Sequence, residues 1–234
     1  MLTPAFNVIY PRMTAMIAAN ATGQLVDYYR NGTRLLMAAI IPCSAFAAFF
    51  AHDLLLAWTG DAGTAATVAP LVPLMIAGTA MNGIMHFPYA LQLAAGRSSL
   101  PATINLVLLL LFVPMLVLLA SRHGIWGGAT AWAALNAAYI LIGTWLTHRA
   151  ILPGLATRWL TRDVAAPAAL AVAITGIGAL VAQSLTVPIA RLAVGAVFTA
   201  AAMLLSALSS PPALAYLRLG LGRVLHRSRP SPSR

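Results

Sequence analysis

Thr79, Asn82, Gly83, His86 and Tyr89 lie three and four residues apart in a long apolar run, so a helix presents them on one face. Polar side chains are costly in hydrocarbon, which makes such a face the first place to look for function. A hydroxyl, an amide, an imidazole and a phenol are donors and acceptors able to bind sugar hydroxyls in a hydrated cavity. The same groups hold helices together by bonding between them, so the spacing alone leaves both uses open. Asn82 falls near the middle of the run, and His86 one turn further along it. Asn105, Thr130, Asn136 and Tyr139 occupy neighbouring apolar runs and are open to the same two uses.

Other chemistry is sparse. The anions are Asp27, Asp53, Asp61 and Asp163, with no glutamate. No carboxylate pair is spaced for acid–base work, and no Ser-His-Asp or Cys-His pattern suggests a nucleophile. The lone Cys43 sits in an apolar run and is expected to be a small buried packing residue. No Cys/His spacing suits a metal, so neither metal nor cofactor is expected and the chain does not read as an enzyme. The stretch "GIWGGATAWAALNAA" has no lysine and Ser/Thr to complete a phosphate loop. Its small residues suit close helix packing instead. His52, Asp53 and Asp61 are expected near the outer membrane surface as interfacial caps, with Asp53 as a proton or cation site the alternative.

The elements that must carry the polar face are membrane helices. Apolar residues make up 61% of the 234 residues and charged residues 8%, and mean hydropathy is +0.87. A soluble chain carries about 25% charged residues. Six stretches, near 35–58, 65–95, 100–120, 125–147, 164–185 and 187–208, are long enough to cross a bilayer. Pro70, Pro73 and Pro88 are expected to kink or tilt the second. The last two should form a tight hairpin.

The formal charge is +10, and every basic side chain is arginine. Arg12, Arg30, Arg34, Arg97, Arg149, Arg158, Arg162 and the five arginines after residue 217 fall on one side of the alternating spans. Only Arg122 and Arg191 fall on the other. The positive-inside rule makes the first side cytoplasmic and explains the charge without nucleic acid. Residues 1–33 then read as a truncated helix end and a cytoplasmic loop, and 34–147 as four membrane helices. A second cytoplasmic loop covers 148–163, two further membrane helices 164–208, and a basic cytoplasmic tail 209–234. Leu214, Leu217, Leu221, Val224 and Leu225 give the tail an apolar face, suited to lying on an anionic leaflet. Residues 2–11 reach only about 15 Å as a helix, half a bilayer, so the segment is expected to be a stump or a membrane dip. Arginine-only, alanine-rich usage suggests a bacterial coding sequence.

The run "YPRMTAMIAANATGQLVDYYRNGTRLLMAAIIP" resembles the polysaccharide flippases of the multidrug/oligosaccharidyl-lipid/polysaccharide exporter superfamily. Pro11, Arg34 and Pro42 carry the pattern, followed by Trp58, Gly60 and "FPYALQLAAGR" with Pro88, Gly96 and Arg97. Asn105, Pro114 and the Gly124/Gly127/Gly128 helix start continue it. The likeness covers residues 4–147, with two extra helices after it. It implies an all-α integral membrane fold: a six-helix bundle after a truncated helix, like the C-terminal lobe of a MATE-like flippase. It implies movement of undecaprenyl-diphosphate-linked oligosaccharide across the bacterial inner membrane by alternating access. Such a mechanism needs a second bundle, so the expectation is a fragment whose N-terminal lobe is encoded separately or missing. Cations for the diphosphate are expected on that lobe, because no span expected here has an arginine in its interior. A multidrug/cation antiporter of the same superfamily is the runner-up, disfavoured by the lack of an intramembrane carboxylate. A non-transporting membrane subunit of a surface-polysaccharide assembly complex is a third reading, and a membrane glycosyltransferase a fourth.

Overall fold

The computed structural model describes residues 3–208, and side chains from Phe6 onward. The described residues are helical and contain no strand. Five stretches are long and apolar enough to cross a membrane: Thr22–Phe49, Ala62–Ala94, Ser99–Ile151, Ala156–Ala182 and Pro188–Leu208. The chain is therefore a multi-pass membrane protein, helical and without strands among the described residues. The amphipathic tail expected over 209–234 lies outside the described residues.

The first two helices differ from expectation. Helix α1 (Thr3–Ala18) runs through Pro11, and α2 (Thr22–Phe49) starts after a three-residue turn closed by Asn20 at φ 53°. The expected loop over 12–33 is thus mostly helix. Proline in a helix interior forfeits one backbone hydrogen bond, but tertiary packing outweighs it. Met13 is fully buried, and Phe6 meets Tyr89 of α6 (His86–Ala94) at 5.7 Å between ring centroids. The polar-looking start of α2 is helical because Leu25, Tyr29, Thr33 and Met37 recur every fourth residue, and all four are buried. The span expected at 35–58 therefore begins at Thr22. It breaks at Phe50 (φ −106°, ψ 21°) before α3 (Ala51–Thr59).

The second stretch is built in pieces by its prolines. Helix α4 (Ala62–Val68) passes through a 3-10 turn at Ala69–Leu71 into α5 (Val72–Ile84), with Pro70 and Pro73 at the starts of the new pieces. Pro88 has no N–H to return to the Ile84 carbonyl, and the helix breaks at Met85 before α6.

Helix α7 (Ser99–Ala138) is interrupted at Gly124, whose φ 56° and ψ −134° lie in a region that L side chains rarely adopt. A Cβ on Gly127 would collide with the Leu119 carbonyl, so the chain on the two sides of Gly124 turns back into contact. A π-helical turn at Tyr139–Gly143 leads to α8 (Thr144–Ile151).

The expected loop over 148–163 is also largely helix. A short turn with Gly154 at φ 84° leads into α9 (Ala156–Arg158), a π-helical segment at Trp159–Ala165 and α10 (Ala166–Ala182). Trp159 and Asp163, four residues apart, are fully buried, and that burial makes the segment part of the bundle. Helix α11 (Pro188–Leu208) returns along α10 as the expected hairpin, with Gly178 against Phe198. Helix α2 is the central element, packing on α5, α10 and α11. Cys43 is exposed on α2 rather than buried. It lies on the outward face, where a lipid-facing thiol costs little.

Candidate substrate cavity

Two helix irregularities face each other and shape the cavity. The α5–α6 break centres on Met85, whose N–H turns to the Asn82 carbonyl at 3.1 Å instead of continuing the α ladder. Opposite it runs the π-helical turn Tyr139–Gly143, where a Cβ on Gly143 would meet the Met85 methyl at 2.8 Å. Thr144 also directs its hydroxyl to the Met85 sulfur at 3.7 Å. Broken helices and π-turns free the backbone from regular packing, and both recur at functional sites.

Between the two lies an open cavity of ≈ 270 Å³ lined by Asn82, Met85, His86, Tyr89, Asn105 and Tyr139. It adjoins a narrower one of ≈ 150 Å³ that shares Asn82, Asn105 and Tyr139 and adds Trp132, Asn136 and Phe112. His86 donates through Nδ1 to the Gly83 carbonyl at 2.9 Å. Asn82, Tyr89 and Asn105 are exposed. The lining has amides, phenols and an imidazole but no carboxylate and no arginine. This is chemistry for hydrogen-bonding and stacking on an uncharged polar ligand.

The structure sorts the residues singled out from the sequence. Asn82, His86, Tyr89 and Asn105 meet at the larger cavity, joined by Tyr139. Asn136 is different: its carbonyl accepts from Asn82 Nδ2 at 3.0 Å, and its NH2 donates to the Trp132 carbonyl at 2.8 Å. It is buried and ties α5 to α7. Thr79 is outside both cavity linings, its hydroxyl donating to the Met75 carbonyl at 2.9 Å and standing 3.4 Å from the Trp132 indole N–H. Thr130 bonds to the Trp126 carbonyl at 2.8 Å within its own helix.

A buried charge cluster lies elsewhere, inside stretches that are long and apolar enough to cross a membrane. Asp163 is fully buried within the stretch Ala156–Ala182. It accepts from Arg30 Nε at 2.7 Å and Nη2 at 3.1 Å and from Arg34 Nε at 2.7 Å, and Arg34 Nη2 stands 2.6 Å from the same carboxylate as an ion pair. These three bonds and the second Arg34 contact hold the buried carboxylate between two guanidiniums. Beside it, Trp159 donates its indole N–H to the Thr33 hydroxyl at 3.0 Å and stacks on Tyr29. The four-residue spacing of Arg30 and Arg34 was the available sequence signal. Nothing local marks Asp163 as their partner, since it lies 133 residues from Arg30.

The turn after α1, the turn after α6 and the end of α8 meet at one end. Asn20, Arg97 and Ala150 to Leu152 line a common cavity of ≈ 310 Å³. Elsewhere, Asp53 is nearly buried and stands 3.8 Å from both Arg191 Nη1 and His52 Nδ1. Asp61 caps α4, accepting from the Gly63 and Thr64 N–H groups at 3.1 and 2.9 Å. The Thr64 hydroxyl bond, with these backbone N–H bonds, holds the Asp61 carboxyl below its ordinary value. Among the described residues, no three His, Cys, Asp or Glu side chains are placed to hold a metal ion. No protein-family model, curated protein or solved structure matches the chain.

Proposed function

We propose that the chain is one bundle of a translocator for lipid-linked oligosaccharide, of the type found among polysaccharide flippases, in a bacterial inner membrane. The arginine-rich side faces the cytoplasm in this reading. A stretch of 53 residues, Ser99–Ile151, would extend about 80 Å as one straight helix, far beyond a bilayer of about 30 Å. The reading takes the limbs on either side of Gly124 as separate crossings, making six. One observation carries the function: Asn82, Tyr89 and Asn105 are exposed within otherwise apolar membrane stretches. Exposed amides facing lipid are costly, so an open polar cavity there implies water, a polar ligand or a second bundle opposite. The uncharged, partly aromatic lining suits sugar hydroxyls. A second bundle packed opposite closes the cavity and supplies the rocking partner.

The test is binding of a fluorescent lipid-linked oligosaccharide to the chain in nanodiscs. The doubly substituted Asn82→Leu, Asn105→Leu protein is expected to lose binding while keeping its helical content. Equal affinity of the two proteins overturns the assignment of the cavity. A second reading, an ion-coupled exporter of the same superfamily, has the buried Asp163 in its favour. Proton- or cation-driven dye efflux lost in Asp163→Asn, with sugar-lipid binding absent throughout, would support that reading instead.

A further inference from the structure

Three buried polar atoms at the junction of α2, α6 and α8 have no hydrogen-bond partner: Tyr29 Oη, Gln92 Oε1 and His148 Nε2. Their residues are fully buried. A buried polar atom left dry is costly, and most such atoms are paired with protein or with internal water. The three share one neighbourhood. The Tyr29 and His148 rings meet edge to face, with centroids 5.5 Å apart. Gln92 donates its amide to Thr147, the residue before His148, at 2.6 Å.

Their hydrogen-bond capacities are complementary to a single small ligand. His148 Nδ1 faces the Thr144 carbonyl at 2.7 Å and so carries the proton there, leaving Nε2 of the neutral ring an acceptor. Gln92 has spent an amide N–H on Thr147, and its orphan Oε1 is also an acceptor. The Tyr29 hydroxyl has a proton to give and no recipient. A water molecule accepts one hydrogen bond and donates two.

We infer that Tyr29 Oη, Gln92 Oε1 and His148 Nε2 form an internal water site joining α2, α6 and α8. The water accepts from Tyr29 and donates to Gln92 and His148. Three bonds is the usual number for a buried water. The site is separate from the substrate cavity: it shares none of that cavity's lining residues. It rests on the burial and unmet hydrogen-bond capacity of these three side chains, whether or not the chain carries sugar.

The test is a double-mutant cycle on the full chain in detergent, read as thermal unfolding temperature, with Tyr29→Phe and Gln92→Met. A shared water predicts that each substitution lowers Tm, because each strips a partner from it. It also predicts a double variant that falls by less than the sum of the singles. Dry orphans predict the opposite sign: Tyr29→Phe raises Tm by removing an unsatisfied hydroxyl, and the two changes add. If either variant fails to fold, an experimental density map of the unaltered protein decides. A peak within about 2.6–3.2 Å of all three atoms supports the site. An empty or apolar void there overturns it.

Discussion

Replacing Asp163 with asparagine should destabilise this protein more than replacing either arginine that holds it. Asp163 is fully buried, while the Arg30 and Arg34 side chains are 15% and 17% exposed. Two guanidiniums converge on the one buried anion of the cluster, with the exposed Asp27 a further anion near Arg30. Asp163→Asn removes the anion and leaves two guanidiniums converging on a neutral amide. Removing one partner of a buried pair costs about 3–5 kcal/mol, chiefly because the remaining charge is left uncompensated. Arg34→Gln instead leaves the Arg30–Asp163 pair balanced and forfeits charge-assisted hydrogen bonds worth about 1.5–3 kcal/mol. A chain of this size loses roughly 2–4 °C in Tm per kcal/mol. Asp163→Asn should therefore lower Tm by roughly 6–20 °C. The fully neutral Arg30→Gln, Arg34→Gln, Asp163→Asn protein should recover part of that loss, since no charge is left buried. The assay is thermal unfolding in detergent followed by far-UV circular dichroism. If Asp163→Asn melts no lower than Arg34→Gln, or the neutral triple melts lowest of all, charge balance does not govern the cluster.

Further outcomes follow from single sites. Gly124→Ala should cost about 1–3 kcal/mol through backbone strain alone, because a Cβ there would meet no neighbour within 4 Å; a Tm unchanged from the parent would contradict the observed bend. Gly178→Ala places a Cβ 2.6 Å from the Phe198 Cβ and should cost about 1–3 kcal/mol by forcing α10 from α11, measurable as earlier unfolding in detergent. Asn136→Leu removes an interhelical bond worth about 0.6 kcal/mol on average, up to about 1.7. Its small Tm loss should accompany near-normal sugar-lipid binding, unlike the Asn82 and Asn105 variants. Asp61 has a lowered carboxyl pKa, so its stabilisation is complete above the ordinary value of 3.8 and fades as pH falls through the lowered one. The Tm gap between the parent and Asp61→Ala should close on acidification; a gap that widens would reverse the sign.

The amino-acid sequence by itself determined that the chain is a membrane protein, that Pro70, Pro73 and Pro88 interrupt one stretch, and that Asn82, His86 and Tyr89 share a face. These properties are local: hydropathy over about 20 residues sets the solvent, missing proline N–H groups break the ladder, and spacing of three or four sets the face. Hydropathy misjudged residues 12–33 and 148–163, because it counts charge as a sign of water. Arg30, Arg34 and Asp163 are instead paired with one another, and Leu25, Tyr29 and Trp159 bury their faces on neighbouring helices. Only the tertiary structure decided that pairing. It also separated Asn105, exposed at the cavity, from Asn136, whose amide is spent on Asn82 and the Trp132 carbonyl. The cost of a polar group in a membrane depends on what lies opposite it, and what lies opposite comes from distant parts of the chain.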